Sequence, residues 1–182
     1  DIAVKNTGDN DNQNVEKDEE LSVLKFFVCH WKSNTGGEEK TEIWRNYQEN
    51  LLAQIINNCG TTRFVCCGDF NRNYADFTKI SDKNTTEEEK KVNQCNVVFR
   101  GRDFVVPVYS PWQNSNDLGT YHYENSWEKI DHFFVGTGLF VKNFFCLTAG
   151  PHVKEGGLPY RYEIYSGEGY SDHLPISCTI YY

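Results

Sequence analysis

The chain has no methionine among its 182 residues, and it contains no apolar run of the roughly 20 residues that a membrane-spanning helix needs. The sequence therefore predicts no transmembrane segment. It begins at Asp1 without an initiator methionine and without the basic and apolar regions of a signal peptide. These absences indicate a fragment, a processed chain or an excised domain, so an exported and a cytoplasmic location both stay open.

Basic residues are also scarce. Lys and Arg number 18 against 26 Asp and Glu, which gives a formal net charge of -8. Tight nonspecific binding to nucleic acid depends on Lys and Arg that displace counterions from phosphates, so the composition argues against it. The seven cysteines fall at no metal-ligand spacing, and their odd number cannot complete a disulfide framework. Most lie in apolar, strand-like runs, where we interpret them as buried structural thiols.

Three short segments far apart in the chain carry acid, amide and imidazole side chains at the ends of β-prone runs. A fourth segment, His30-Trp31-Lys32-Ser33, ends an earlier predicted strand at 21–29. Carboxylates that bind a hard divalent cation, together with a histidine that can move a proton, are the groups needed to cleave a phosphate ester with water. The three segments are Gly68-Asp69-Phe70-Asn71 after the run 63–67, Ile130-Asp131-His132 at the start of the run 130–135, and Ser171-Asp172-His173-Leu174-Pro175 before the run 176–181.

In this order the four segments resemble the endonuclease/exonuclease/phosphatase superfamily, which includes pancreatic deoxyribonuclease, abasic-site endonucleases, sphingomyelinases and inositol-polyphosphate 5-phosphatases. The resemblance covers residues 21–182. The HWKS spelling, followed by Gly36-Gly37 and a predicted helix, is most similar to a bacterial branch of predicted nucleases. The resemblance implies an α/β (α+β) sandwich of the deoxyribonuclease-I-like type, with two packed mixed β-sheets flanked by helices.

The resemblance also implies that the N-terminal part of this domain is missing. Family members begin with a strand that bears an asparagine and a second strand that bears a metal-binding glutamate, and nothing in 1–20 resembles either. We interpret 1–20 as an acidic polar loop or tether and 21–182 as the C-terminal part of the catalytic domain. We expect the strand near Leu21 to belong mainly with the absent half. The fragment alone should be impaired, and its exposed apolar sheet should bind the N-terminal part of the domain or self-associate.

The mechanism implied by the resemblance is in-line attack of a metal-assisted water on phosphorus. Asp172 would help to hold Mg²⁺ or Mn²⁺, and Asp69 would orient or deprotonate the water and also lie near the metal. Asn71 would donate to a phosphate oxygen or complete the metal shell. His173 would act as a base or as a donor in the transition state. Asp131 would accept a hydrogen bond from its other ring nitrogen and so fix the tautomer.

Further residues are assigned to the substrate. His30 would donate to the phosphoryl oxygen as negative charge develops there. Arg100, Arg102 and Tyr121 are candidates for substrate binding. His132 is not included, because neighbouring side chains on a strand point to opposite faces and Asp131 already occupies the catalytic one.

The residues after the glycine pair predict a helix that ends near Asn58. Trp44, Tyr47, Leu51 and Ile55 recur at helical spacing, and we expect this face to pack against the core.

Other local patterns are weaker. A hairpin is predicted at 96–110, a further strand at 144–153, and a solvated turn of helix or loop for the charge run 85–91.

The leading functional hypothesis is a metal-dependent phosphodiester hydrolase, with nucleic acid, DNA or RNA, as its substrate. A phosphatase or phospholipase C-type hydrolase, acting on a small phosphoester such as an inositol phosphate or on sphingomyelin, is an alternative with the same chemistry, and the acidic charge favours it slightly. A noncatalytic binding module that retains the fold is an alternative of a different class.

Overall fold

The computed structural model describes residues 2–4, 22–78 and 95–181. Of the predicted tether 1–20, residues 2–4 form a strand, and the others lie outside the described residues, as does 85–91. No helix in the described part of the chain is long and apolar enough to cross a membrane. The elements, labelled in chain order, are β1 (Ile2–Val4), β2 (Ser22–His30), α1 (Glu38–Asn58), β3 (Phe64–Asp69), β4 (Val97–Arg100), β5 (Val105–Val108), β6 (Tyr121–Tyr123), β7 (Ser126–Glu128), β8 (Asp131–Val135), β9 (Phe140–Cys146) and β10 (Ile176–Tyr181).

The largest sheet is mixed and has its strands in the order β1-β2-β3-β8. β2 runs parallel to β3, from Lys25 opposite Phe64 to His30 opposite Asp69. β1 and β8 are antiparallel to their neighbours. The expectation that the strand near Leu21 belongs mainly with an absent half is therefore wrong, because β2 pairs with β3 along most of its length.

The two faces of this sheet are covered by different elements, because successive side chains of a strand point to opposite faces. Phe64 and Cys66 of β3 pack on one side in a core that includes Ile56 of α1 and side chains of β4 and β5. Val65 packs on the other side against Leu139 and the β9–β10 pair. The predicted sandwich is thus confirmed in part: the other described sheets are two-stranded antiparallel pairs rather than a second mixed sheet, and the described residues contain a single α-helix.

β2 leaves part of the second face open to solvent. Phe26 and Val28 are 48% and 85% exposed, whereas Phe27, which points to the opposite face, packs against the core. The expectation of an exposed apolar sheet surface agrees with these side chains.

The predicted helix is confirmed, but its predicted buried face is wrong. Trp44, Tyr47 and Leu51 are 57%, 61% and 56% exposed, and Ile55 is also exposed. The inward face carries Leu52, Ala53 and Ile56 together with the polar residues Thr41, Arg45 and Glu49. Charged side chains are buried only where they are paired, and those pairs are not visible in the apolar pattern from which the face was predicted.

Two of the remaining strand predictions are confirmed and one is wrong. The hairpin β4–β5 forms within 96–110, and β10 matches the predicted final strand. The strand predicted at 144–153 is instead β9, which ends at Cys146. Beyond it the backbone of Leu147 donates to the carbonyl of Pro175, and the Gly150-Pro151 pair turns the chain away.

His132 is fully buried on the α1 side of the sheet. Its Nε2 lies 2.9 Å from the carbonyl oxygen of Arg72. A carbonyl only accepts, so Nε2 carries the hydrogen. Burial lowers the pKa of His132 to about 4, although the Arg72 carbonyl and Asp131 favour the protonated form.

We predict that His132 makes folding sensitive to acid. Between its ordinary pKa of 6.5 and about 4 the unfolded chain binds a proton that the folded chain does not, so the free energy of unfolding falls as the pH falls. The expected contribution between pH 7 and pH 4.5 is about 2 kcal/mol. Urea unfolding at pH 7 and at pH 4.5 measures how much stability each protein loses between the two pH values. This loss should be smaller for His132→Gln than for the wild type by about 2 kcal/mol. His122→Gln is the matched control and should keep the full loss; equal pH dependence in all three proteins would contradict the prediction.

Candidate active site

Strand register aligns three predicted catalytic residues in one row. His30 lies opposite Asp69 across β2 and β3, and Asp69 lies opposite Asp131 across β3 and β8. The Nε2 atom of His30 is 3.6 Å from Oδ2 of Asp69. Gly68 makes this alignment possible, because its φ is +128° and a Cβ there would lie 2.1 Å from the carbonyl oxygen of Cys29. The close approach of β2 and β3 at this end therefore requires glycine.

The turn after β3 is held by the amide of Asn71. The backbone of Asn71, which is left-handed with φ 48°, donates to Oδ1 of Asp69 over 2.8 Å. Its Nδ2 donates to Oδ2 of Asp69 (2.9 Å) and to the carbonyl of Trp31 (3.1 Å). Both amide hydrogens are thus used within the protein, so only Oδ1 is available to a cation or to a substrate donor. The geometry favours the metal-shell role of Asn71 over donation to phosphate.

Arg72 anchors the same turn to α1. Its buried guanidinium pairs with Glu49 and Glu42 and donates to Oδ1 of Asn46 over 2.8 Å. The guanidinium also lies 5.7 Å from the ring centroid of Trp31. Sequence reasoning missed this residue, because nothing in the local pattern distinguishes a buried arginine in a turn from a solvated one.

A second acid and imidazole pair lies at the other side of the row. His173 Nδ1 is 2.7 Å from Oδ2 of Asp131, and the same oxygen accepts from the hydroxyl of Thr120. The carboxylate accepts from Nδ1, which leaves Nε2 of His173 as the ring atom that can exchange a proton. The SDHLP loop is secured nearby by the backbone bond from Leu174 to Thr120, 2.7 Å long.

The charges of these groups influence one another. Burial raises the pKa of Asp69, and repulsion from Asp131 adds to this, while the Asn71 N–H and the two histidines oppose it. Burial alone would lower the pKa of His173, but its hydrogen bond to Asp131 and the charges of Asp131, Asp69 and Asp172 outweigh burial, and the pKa is raised. His173 is therefore biased towards its protonated form in the absence of other ions.

All these side chains line one open cleft of about 890 Å³. It contains His30, Asp69, Asn71, Asp131, Asp172 and His173 as well as Tyr121. The cleft also contains Tyr123, and it contains Glu128, which sequence reasoning missed. Strand alternation could have placed Tyr123 beside Tyr121, but Glu128 depends on the register of the β6–β7 pair.

Arg100 and Arg102 do not line this cleft. They line a separate surface pocket of about 370 Å³ between α1 and the β4–β5 hairpin. The backbone N–H of Arg100 donates to Glu49 over 2.8 Å, and its side chain donates to the carbonyl of Asp76. Arg100 is thus held within the protein scaffold, Arg102 is exposed, and neither lies beside the acids and histidines.

Comparison with known proteins places the chain in a family. The family model described as "Endonuclease/Exonuclease/phosphatase family" matches residues 5–181. The chain belongs to this family. Membership implies a deoxyribonuclease-I-like fold and a phosphoesterase or nuclease-type hydrolase, and members typically use divalent metals. No curated protein and no solved structure matches the chain significantly.

The cleft suits a cation held by few protein ligands. Among the described residues, no group of three His, Cys, Asp or Glu side chains could hold a metal ion. Mg²⁺, however, usually keeps several waters and binds through one or two carboxylates and the substrate phosphate. The carboxylates of Asp172 and Asp69 and Oδ1 of Asn71 are hard oxygen donors on the wall of one cleft, and they fit that requirement.

We predict that Arg72→Met strongly destabilises the protein. The substitution preserves much of the side-chain volume but leaves Glu49 buried without its partner, which should cost about 3–5 kcal/mol. Chemical denaturation measures the loss. Arg102→Met, an exposed arginine, is the control and should change stability by less than about 0.5 kcal/mol. A similar small effect of both substitutions would show that the ion pair does not hold the turn.

Proposed function

We propose that this family member is a metal-dependent phosphodiester hydrolase in which water attacks phosphorus. The single observation that supports this best is the convergence of His30, Asp69, Asp131 and the Asp131-bonded His173 on one cleft, from segments far apart in the sequence. These groups supply a proton carrier and oriented carboxylates at the same place. A noncatalytic module has no need for this arrangement.

Each of these residues has its own role in the proposed hydrolysis. Asp131 holds the Nδ1 hydrogen of His173, so Nε2 accepts a proton from water or delivers one to the leaving oxygen. Asp69, fixed by Asn71, orients the attacking water. His30, whose side chain is 78% exposed, can donate to a phosphoryl oxygen. A bound Mg²⁺ or Mn²⁺, held by Asp172, Asp69 and Oδ1 of Asn71, would lower the pKa of water and offset phosphate charge.

Two features of the chain bear on the identity of the substrate. The HWKS segment supports a nuclease that acts on DNA or RNA. The cleft itself supports a smaller phosphodiester, because Asp69, Glu128, Asp131 and Asp172 line it and no Lys or Arg is among its described lining residues. A nucleic acid strand would bring additional phosphates close to these carboxylates without a basic partner.

We predict that hydrolysis of bis(p-nitrophenyl) phosphate by the full-length protein requires Mg²⁺ or Mn²⁺. The candidate ligands are hard oxygens, which select these cations over thiophilic metals. Release of p-nitrophenolate should stop with excess EDTA and return when Mn²⁺ is added beyond it. EDTA that is already saturated with Mg²⁺ is the control and should have no effect. Undiminished turnover in free EDTA would reject the metal requirement.

We predict that His173→Ala lowers kcat by roughly 10²–10⁴-fold, the usual contribution of a positioned general acid or base. Steady-state kinetics and thermal unfolding should be measured on the same preparations, so that a loss of folded protein is not mistaken for a loss of chemistry. His152→Ala is the control, because its ring binds the carbonyl of Leu147 outside the cleft. Equal activities for the two variants would remove His173 from the mechanism.

A further inference from the structure

The β6–β7 hairpin presents an aromatic surface to the cleft. Tyr121 and Tyr123 lie two residues apart on β6, and their rings are nearly parallel, with centroids 6.3 Å apart and planes at 10°. Glu128 lies directly opposite Tyr121 on β7. The ring of Tyr121 is 4.9 Å from the ring of His173. The ring of Tyr121 therefore adjoins the imidazole that is assigned to the chemistry, and Tyr123 and Glu128 extend the surface beside Tyr121.

Carboxylates predominate among the charged side chains around this surface. Glu128 shares the cleft with three other carboxylates, and the described lining includes no lysine or arginine. Burial raises the pKa of Glu128, and repulsion from Glu38 adds to this, whereas His173 opposes it. A single divalent ion carries two positive charges, so it would not neutralise the negative charge of all four carboxylates in the cleft. A positive charge on the substrate would be complementary to the remaining negative charge.

We propose that the alcohol group esterified to the scissile phosphate, and retained on it after cleavage, carries an organic cation of the ammonium type. The rings of Tyr121 and Tyr123 and the carboxylate of Glu128 receive this cation. Aromatic rings attract ammonium groups through their negative faces, and quaternary ammonium is recognised by such surfaces. The inference rests on the proposed phosphodiesterase function and narrows its substrate class to zwitterionic phosphodiesters.

A nucleobase is the strongest competitor for the same rings, since bases stack on aromatic side chains. Single-stranded nucleic acid sites combine such rings with a positively charged groove along the backbone, however. The described lining of the cleft has the rings without the basic groove, and Tyr123, at 55% exposure, is open to a ligand of either kind. Electrostatics favours the cation.

Two esters of the same shape test the proposal on the full-length protein with Mg²⁺ or Mn²⁺. p-Nitrophenyl phosphorylcholine carries the cation, and p-nitrophenyl 3,3-dimethylbutyl phosphate replaces its nitrogen with carbon. In each reaction water forms the new P–O bond, and the P–O bond to p-nitrophenolate breaks, with the protons passing to the buffer. We expect kcat/KM to be higher for the cationic ester by roughly tenfold, the scale of one cation–π contact.

Two variants connect that preference to the hairpin. Glu128→Gln and Tyr123→Leu should each reduce the ratio of the two kcat/KM values towards one. Glu155→Gln makes the same charge change on an exposed loop outside the cleft and should leave the ratio unchanged. Equal kcat/KM for the two esters, or a ratio that survives both hairpin substitutions, overturns the proposal. So does a higher kcat/KM for thymidine 5′-(p-nitrophenyl phosphate).

Failure of the chemistry can be told apart from failure of the recognition. If no ester is hydrolysed with either metal, the proposed function fails, and calorimetry with phosphocholine and 3,3-dimethylbutyl phosphate then decides the recognition. Tighter binding of phosphocholine that is lost in Glu128→Gln supports it, whereas equal or absent binding overturns it. Where hydrolysis occurs, phosphatidylcholine vesicles and free glycerophosphocholine, compared as substrates, distinguish a lipid head group from a soluble ester.

Discussion

Arg72 and Glu49 form an ion pair inside the protein, where their side chains are only 4% and 3% exposed. Two charges removed from water are stable only if the pairing is close and their other hydrogen-bonding atoms are also used. Glu49 meets this condition through the backbone N–H of Arg100, and the terminal nitrogens of Arg72 meet it through Glu49, Asn46 and Glu42. The buried Nε of Arg72 has no hydrogen-bond partner among the described residues. The pair thereby connects α1, the turn after β3 and the end of β4. It also determines which face of α1 points inward.

The row formed by His30, Asp69 and Asp131 depends on the same connection. The backbone carbonyl of Arg72 accepts from the buried ring of His132, which is next to Asp131 on β8. The residue before Arg72, Asn71, uses both amide hydrogens on Asp69 and on the carbonyl of Trp31. Three strand ends are thus tied together by short bonds around one turn. A site assembled in this way is positioned by the rigid sheet rather than by the loop itself.

The electrostatics of the cleft follow from bringing these acids together. Asp69 and Asp131 face each other across two strands, and His173 compensates part of their charge. Further compensation must come from ions or from the substrate. Divalent metals, which family members typically use, would supply part of it. In the proposed function, the aromatic and acidic hairpin β6–β7 then distinguishes one class of phosphodiester from another.

Much of the site could be predicted from the sequence, because its signals are local. The apolar run before Gly68, the apolar run from Ile130 and the final strand each have a β pattern that requires no knowledge of their neighbours, and the helix begins after its glycine pair as predicted. The order of the polar segments was sufficient to indicate the family. These features were determined by the sequence alone, because periodicity and turn residues act over a few positions.

Other features were decided only by the tertiary structure. The apolar stripe of Trp44, Tyr47 and Leu51 faces solvent because Arg45 and Glu49 find partners 13 and 23 residues away. Arg100 and Arg102 lie away from the cleft, and Glu128 enters it, because strand pairing sets their positions. Such outcomes depend on contacts between residues that are far apart in the sequence. The sequence pattern around either partner does not reveal these contacts.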